Sequence, residues 1–187
     1  MDNYDQLLRS VSRLPVRSLI GISGFGGSGK STLAARLSVE IDSPIVSVDS
    51  FFEDSSAFSC WEAIDYERLV REVLVPYKNG SGTVSYHHFD WESNSSSKVR
   101  STGRGVHLIV EGVGLFRPRL IEYFDYTIWI DCSLTVATER GKTRDKNEYN
   151  SDNDVLWDGL WRRNDQEFFD RFGPHTKVDF RFRGGTP

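Results

Sequence analysis

Gly24-Phe25-Gly26-Gly27-Ser28-Gly29-Lys30-Ser31 has the G-x-x-x-x-G-K-[ST] spacing of a phosphate-binding loop. A glycine-rich turn lets backbone N–H groups close around an oligophosphate, and the helix N-terminus behind it adds positive dipole. Lys30 would reach the outer phosphates, and Ser31 offers a hydroxyl to a divalent cation. Gly24, Gly26, Gly27, Ser28, Gly29, Lys30, Ser31 and Thr32 are therefore the candidate nucleotide-binding residues. The competing reading is a flexible glycine loop that binds nothing. The flanks decide against it. Val16 to Ile22 is mostly apolar and reads as a buried strand, while Leu33, Ala34, Leu37 and Ile41 recur at helical spacing. Strand, glycine turn, helix is the setting the motif requires.

Bulk composition narrows the class further. With 187 residues and no long low-complexity tract, one domain over 1–187 is the simplest organisation. A chain of this size buries about 70% of its unfolded surface and needs no staples. Cys60 and Cys132 lie far apart and match no metal spacing, so they read as reduced thiols of a cytoplasmic protein. A formal net charge of −4 gives no support for nucleic-acid binding. No apolar run is long enough to span a bilayer, and no signal-peptide pattern is read, so no membrane partner is expected. The expected partner is a small-molecule substrate, with a homo-oligomer left open.

Outward from the loop, carboxylates recur at strand ends. Ile45-Val46-Ser47-Val48 is a short apolar run ending in Asp49, and Val106 to Val110 is closed by Glu111-Gly112. Tyr126 to Ile130 ends in Asp131, which is expected to orient the following helix or loop. Alternating strand and helix signals predict parallel βαβ units, whose carboxyl ends meet at one sheet edge, where open α/β sheets bind ligands. Glu111 is the expected Mg²⁺-side carboxylate, since Mg²⁺ prefers oxygen ligands beside phosphates. Asp49 could instead be a turn or cap aspartate; the phosphate loop favours the functional reading.

The other segments read as scaffold. Tyr4, Leu7, Leu8, Val11 and Leu14 share a helical face ending at Pro15. Asp65 looks like the cap of a helix carrying Tyr66, Leu69, Val70, Val73 and Leu74 and stopped near Pro76. Thr83 to Phe89 predicts a strand or hairpin arm, with His87 and His88 on opposite faces. Residues 92–105 are serine-rich without period and read as a long surface loop. A helix over 133–146 carries Arg140 and Arg144-Asp145, then a polar run reaches Asp154. Helical arginines usually form a solvated face, but beside a triphosphate they can neutralise the transferring phosphoryl group. A helix with Trp157, Leu160, Trp161, Phe168 and Phe172 ends at Gly173-Pro174, and Val178, Phe180 and Phe182 alternate as a last strand.

Three classes share such a loop: a small-molecule kinase, a GTPase switch, and an ATP-binding or ATPase module with no metabolite substrate. Thr176-Lys177-Val178-Asp179 looks like a guanine-reading motif, and Asp170 and Gly173 have D-x-x-G spacing. They lie almost back to back, however, and Asp179 falls inside the last strand. The GTPase is rejected.

Taken in order, Gly24 to Thr32, Asp49-Ser50-Phe51-Phe52, Leu108-Ile109-Val110-Glu111-Gly112 and Arg140 with Arg144-Asp145 resemble the uridine kinase and phosphoribulokinase group of P-loop kinases. Ile64-Asp65-Tyr66-Glu67-Arg68-Leu69 resembles the helix after that family's substrate loop, and Phe89-Asp90-Trp91 its tyrosine-aspartate-aromatic segment. The resemblance runs over roughly 16 to 183. It implies an α/β P-loop NTPase, three-layer α/β/α, with a five-stranded parallel sheet and a small helical lid within about 140–155. In that sheet the P-loop strand would lie beside the strand ending in Glu111. ATP and Mg²⁺ are the implied cofactors. Asp49 would be the base that accepts the substrate hydroxyl's proton, and Lys30, Arg140 and Arg144 would stabilise the phosphoryl group. Ser31 and Glu111, with Asp49 nearby, would hold Mg²⁺ directly or through water.

The acceptor side departs from the family. The phenylalanine-aspartate-histidine-proline segment that holds ribose hydroxyls corresponds to Phe58-Ser59-Cys60-Trp61, with Ser59 at the aspartate's place and Glu62 just beyond. The base-reading tyrosine and histidine correspond to Phe89 and Asn94. Phe52, Ser59, Glu62, Phe89 and Asn94 are the candidate acceptor residues. A site lacking the family's polar groups should reject a pyrimidine nucleoside, because mismatched hydrogen-bonding sites discriminate strongly.

Overall fold

The computed structural model describes residues 3–53, 59–90, 93 and 95–183. Helix α1 (Asn3–Val11) precedes β1 (Leu19–Ser23), the phosphate loop and α2 (Lys30–Glu40). Next come β2 (Ile45–Ser47), a 3₁₀ turn over Val48–Phe51, and α3 (Tyr66–Leu69) joined by a π turn to α4 (Val75–Lys78). A hairpin of β3 (Ser85–Asp90) and β4 (Ser95–Ser101) leads to β5 (Leu108–Glu111), β6 (Tyr126–Ile130) and α5 (Leu134–Glu148). The chain closes through α6 (Asp154–Leu156), a π turn into α7 (Arg162–Phe172), and β7 (Phe180–Phe182).

Five strands form one parallel sheet in the order β2-β5-β1-β6-β7. Both faces are buried, so β1 and β5 read as continuous apolar runs without alternation. Leu19, Leu108, Val110 and Trp129 face a core shared with Leu69, Val73, Leu74 and Phe168. Ile20, Ile22, Ile109, Ile128 and Ile130 face the opposite core, with Tyr4, Leu7 and Val11 of α1 and Leu33 and Leu37 of α2. This is the three-layer α/β P-loop fold, with β1 directly between β5 and β6.

Three local expectations are corrected. The first strand starts at Leu19 rather than Val16, because Arg17 takes a left-handed φ of 73° and Val16 is exposed. The helix begun by the Asp65 cap ends near Pro76 as expected, at Lys78. The π turn before Pro76 accommodates its missing N–H. The serine-rich 92–105 stretch is not all loop, since β4 pairs antiparallel with β3 from Ser85↔Ser101 to Asp90↔Ser95. Asp131, expected to orient the following helix or loop, instead pairs with Arg181 of β7 at 2.8 Å, and Ser133 caps the helix by accepting from the Val136 N–H. Among the described residues no helix is long and apolar enough to cross a membrane.

Candidate active site

The phosphate loop sits between the end of β1 and the start of α2. Gly29, at φ 98°, is the last residue before the helix. Gly27, at φ 76°, lies so close to α5 that a Cβ would stand 2.1 Å from the Ala137 carbonyl oxygen. Loop and α5 are therefore in direct backbone contact. Lys30 is buried, and its Nζ donates to the Phe25 carbonyl at 2.7 Å. Desolvation lowers its pKa, opposed by the charges of Glu111, Asp165 and Asp49.

Glu111 and Asp49 both lie within the electrostatic reach of this lysine. The Ser31 hydroxyl donates to Glu111 Oε2 at 3.2 Å, and burial raises the Glu111 pKa, with Asp49 adding to the rise and Lys30 opposing it. Gly112 lets this strand end close on the turn after β2, since a Cβ there would lie 1.9 Å from Val48 Cγ2. In that turn the Asp49 N–H donates to the Ser47 hydroxyl at 3.4 Å. Asp49 is exposed at the sheet edge, with its carboxyl partly desolvated by neighbouring protein. Crowding sets the direction and raises its pKa, while Lys30 and then Arg144 pull it down. Among the described residues no cluster of three or more His, Cys, Asp or Glu side chains could hold a metal ion by itself. A Ser hydroxyl beside one carboxylate still fits Mg²⁺, which takes one or two protein oxygens and completes its shell with phosphate and water.

A cavity of about 600 Å³ runs along the loop, lined by Gly27 to Leu33, Arg140, Arg144 and Tyr149, and by Tyr4, Arg36, Ile130 and Phe182 at its far end. There the Arg36 guanidinium lies 3.3 Å from the Tyr4 ring centroid. Arg144 is held by Asp145, with Nη2 to Oδ1 at 2.9 Å. Asp145 also accepts from Trp157 Nε1 at 2.8 Å and Asn153 Nδ2 at 3.0 Å. Desolvation would raise its pKa, but these bonds and the Arg144 charge hold it below the usual value. Arg140 lines the same cavity, with Nη1 4.0 Å from Cys132 Sγ.

The acceptor candidates are less unified. Phe89 is buried and packs edge-on against Phe52 at 5.1 Å between centroids. Ser59 donates to Glu167 at 2.9 Å, and Glu62 is exposed. Asn94, like Phe58 and Trp91, lies outside the described residues. Cys60 and Trp61 both adopt left-handed backbone, φ 50° and 62°, a strain of roughly 1–3 kcal/mol each. Bonds to this loop come from α7 and from Arg117, whose Nη2 donates to the Cys60 carbonyl at 2.9 Å.

Sequence reading missed Asp165. It is buried on α7, accepting from the Gly26 N–H at 2.7 Å and from Trp61 Nε1 at 2.8 Å. Burial lifts its pKa to about 6, against Lys30 and those two bonds. No motif marks it; an aspartate in an otherwise amphipathic helix resembles any solvated residue. Asp179, by contrast, accepts from the Thr127 N–H and hydroxyl at 2.8 and 2.7 Å, tying β7 to β6 rather than facing a base.

A family profile described as an AAA domain matches residues 20–169, a span from β1 into α7. The chain belongs to the AAA domain family. This AAA domain is 29% identical over 144 residues to a uridine kinase of Clostridium botulinum (strain Kyoto / Type A2), covering 70% of the chain and 69% of the relative. A uridine kinase of Saccharomyces cerevisiae is 28% identical over 145 residues, 68% of this chain and 28% of that protein. A possible uridine kinase from Bacillus stearothermophilus superposes with a TM-score of 0.73 at 18% identity, over 96% of this chain and 97% of that one. A candidate fructose transport system kinase from Silicibacter sp. TM1040 gives 0.75 at 21% identity, over 97% and 98%. The AAA domain is thus a P-loop member related to the uridine kinases, and the superpositions speak to its fold.

Proposed function

We propose that the chain is an ATP-dependent, Mg²⁺-requiring phosphotransferase acting on a hydroxyl of a small nucleoside- or sugar-like metabolite. The observation that carries this reading is a carboxylate, Asp49, at the sheet edge within the field of Lys30 and Arg144. A carboxylate there can take the proton of an acceptor hydroxyl, and in an ATPase the same group would take it from water, so the products separate the two. Uridine kinases among the relatives support the same reading.

Phosphoryl transfer asks the protein for positioning, charge neutralisation and one proton acceptor. Asp49 takes the proton of the acceptor hydroxyl as its oxygen bonds to the γ-phosphorus. The bond to the bridging oxygen breaks in line, and ADP leaves. Lys30, now on Phe25 O, turns to the phosphates, and Arg144 neutralises charge on the transferred group. Ser31 and Glu111 would hold Mg²⁺, which supplies charge neutralisation at the phosphate oxygens. Arg140 lies along the donor cavity and fits a role in nucleotide binding. Phe52, Phe89 and the 59–62 loop fit as acceptor walls, and with Ser59 bonded to Glu167 they favour an acceptor other than uridine.

A screen of nucleosides and sugars, following ADP release together with phosphorylated product, tests the reading. ATP turnover with no phosphorylated compound would replace it with an ATPase module. Arg144→Ala is expected to lower kcat on the order of 10²-fold while weakening ATP binding far less. The reverse split would make Arg144 a ground-state binder of nucleotide.

A further inference from the structure

Asp165 stands 139 residues from Gly26 and 104 from Trp61 in sequence, yet its two carboxylate oxygens serve one N–H from each. Its neighbour repeats the pattern. Asn164 Oδ1 accepts from the Trp61 backbone N–H at 2.8 Å, and its Nδ2 donates to Leu160 O at 2.9 Å, which fixes the amide's orientation. One turn of α7 therefore grips both the main chain and the indole of Trp61, in a loop whose backbone is left-handed at two successive residues. The same turn holds the phosphate loop at Gly26. Both partners of Asp165 are neutral donors, so no ion pair explains a buried carboxylate here. What the site needs is two acceptor oxygens facing two donors, and among neutral or ionised side chains of this size only a carboxylate supplies them. An asparagine would present its NH₂ to one of the two N–H groups.

We propose that Asp165 is a positioning residue that locks the acceptor loop, through the Trp61 indole, to the phosphate loop at Gly26, so that donor and acceptor halves of the site are set in register by one carboxylate. This rests on the phosphotransferase reading for its consequence, though not for its geometry. The carboxylate is also a negative charge near the triphosphate position, since it shares the field of Lys30. It therefore costs ATP affinity while it aligns the acceptor. A residue serving the fold alone would not show that opposition.

The test uses the full chain and its Trp61 indole ¹⁵N–¹H resonance, assigned by its loss in Trp61→Phe. In the wild type this N–H should be protected from solvent exchange and should shift when Mg²⁺–ATP is added. In Asp165→Asn protection should be lost and the ATP-dependent shift abolished. ATP should bind that variant as tightly as the wild type or several-fold tighter. With an acceptor identified by the screen above, kcat should fall at least tenfold and the acceptor KM rise. The same change made in Trp61→Phe should cost much less, because asparagine can then serve Gly26 alone. An unprotected Trp61 indole in the wild type, an ATP shift that survives Asp165→Asn, or equal kinetic costs in both backgrounds would overturn the lock. If Asp165→Asn does not fold, the wild-type indole and the acceptor KM of Trp61→Phe still decide: a solvent-exchanging indole, or an unchanged KM, overturns it. If no compound accepts phosphate, the phosphotransferase reading fails while the indole measurements still judge the lock.

Discussion

Asp49→Asn is expected to bind ATP at least as well as the wild type and to transfer phosphate about 10²–10⁴-fold more slowly, the range a positioned general base contributes. The substitution keeps shape and removes the charge and the basic lone pair. Asp49 lies in the field of Lys30 and Arg144, so losing its negative charge leaves both cations freer for the triphosphate. Binding and turnover should therefore move in opposite directions. Two opposed influences act on the carboxyl: crowding raises its pKa and makes it a better base, while the two cations pull it back down. Glu111 cannot take over, because it is buried and engaged by the Ser31 hydroxyl. Fluorescent-nucleotide titration beside steady-state turnover separates the two effects. Turnover within twofold of wild type would remove Asp49 from the base role.

The donor half of this site was legible in the sequence because its chemistry is carried by short, local spacing. Gly24 to Thr32 needs only a strand before it and a helix after it, and Glu111 closes a fully apolar run. Parallel strands buried on both faces write themselves as such runs, which is why β1, β5 and β6 were readable. The second arm of the hairpin was not. β4 has almost no apolar residue, its Val99 is exposed, and it forms by backbone pairing with β3 that leaves no period in the side chains. Asp165 was illegible for another reason: its two partners are reached only through the tertiary fold, from loops far away in sequence. The same holds for Tyr4 and Phe182, which enter the donor cavity from opposite ends of the chain and meet edge-on at 6.5 Å. The 59–62 loop is intermediate. Its position was readable, but the left-handed pair Cys60-Trp61 carries no glycine or asparagine to announce it.

Lys30→Met is expected to lower kcat/KM on the order of 10³-fold, comparable to losing a strong preorganised donor to the developing charge. Its effect on the fold should be unusual, because Lys30 is buried among three carboxylates: Glu111, Asp165 and Asp49. Burial raises all three carboxyl pKa values, that of Asp165 to about 6, and Lys30 opposes each rise. A carboxyl with a raised folded pKa holds its proton more tightly in the folded chain. Its contribution therefore favours the fold at low pH and is lost as pH rises, for Asp165 through about 6. Replacing Lys30 by methionine removes the opposing charge, so these pKa values climb further and the ionised Glu111 and Asp165 carboxylates at high pH lie buried without the nearby positive charge. Urea denaturation should show Lys30→Met less stable than wild type by roughly 2–4 kcal/mol at pH 8. At pH 5, below the Asp165 value of about 6, the deficit should shrink to less than half. A deficit that is equal at both pH values, or larger at pH 5, would mean that Lys30 does not neutralise this cluster. The lysine that reads as a phosphate ligand in the sequence would then have no second duty in holding the site together.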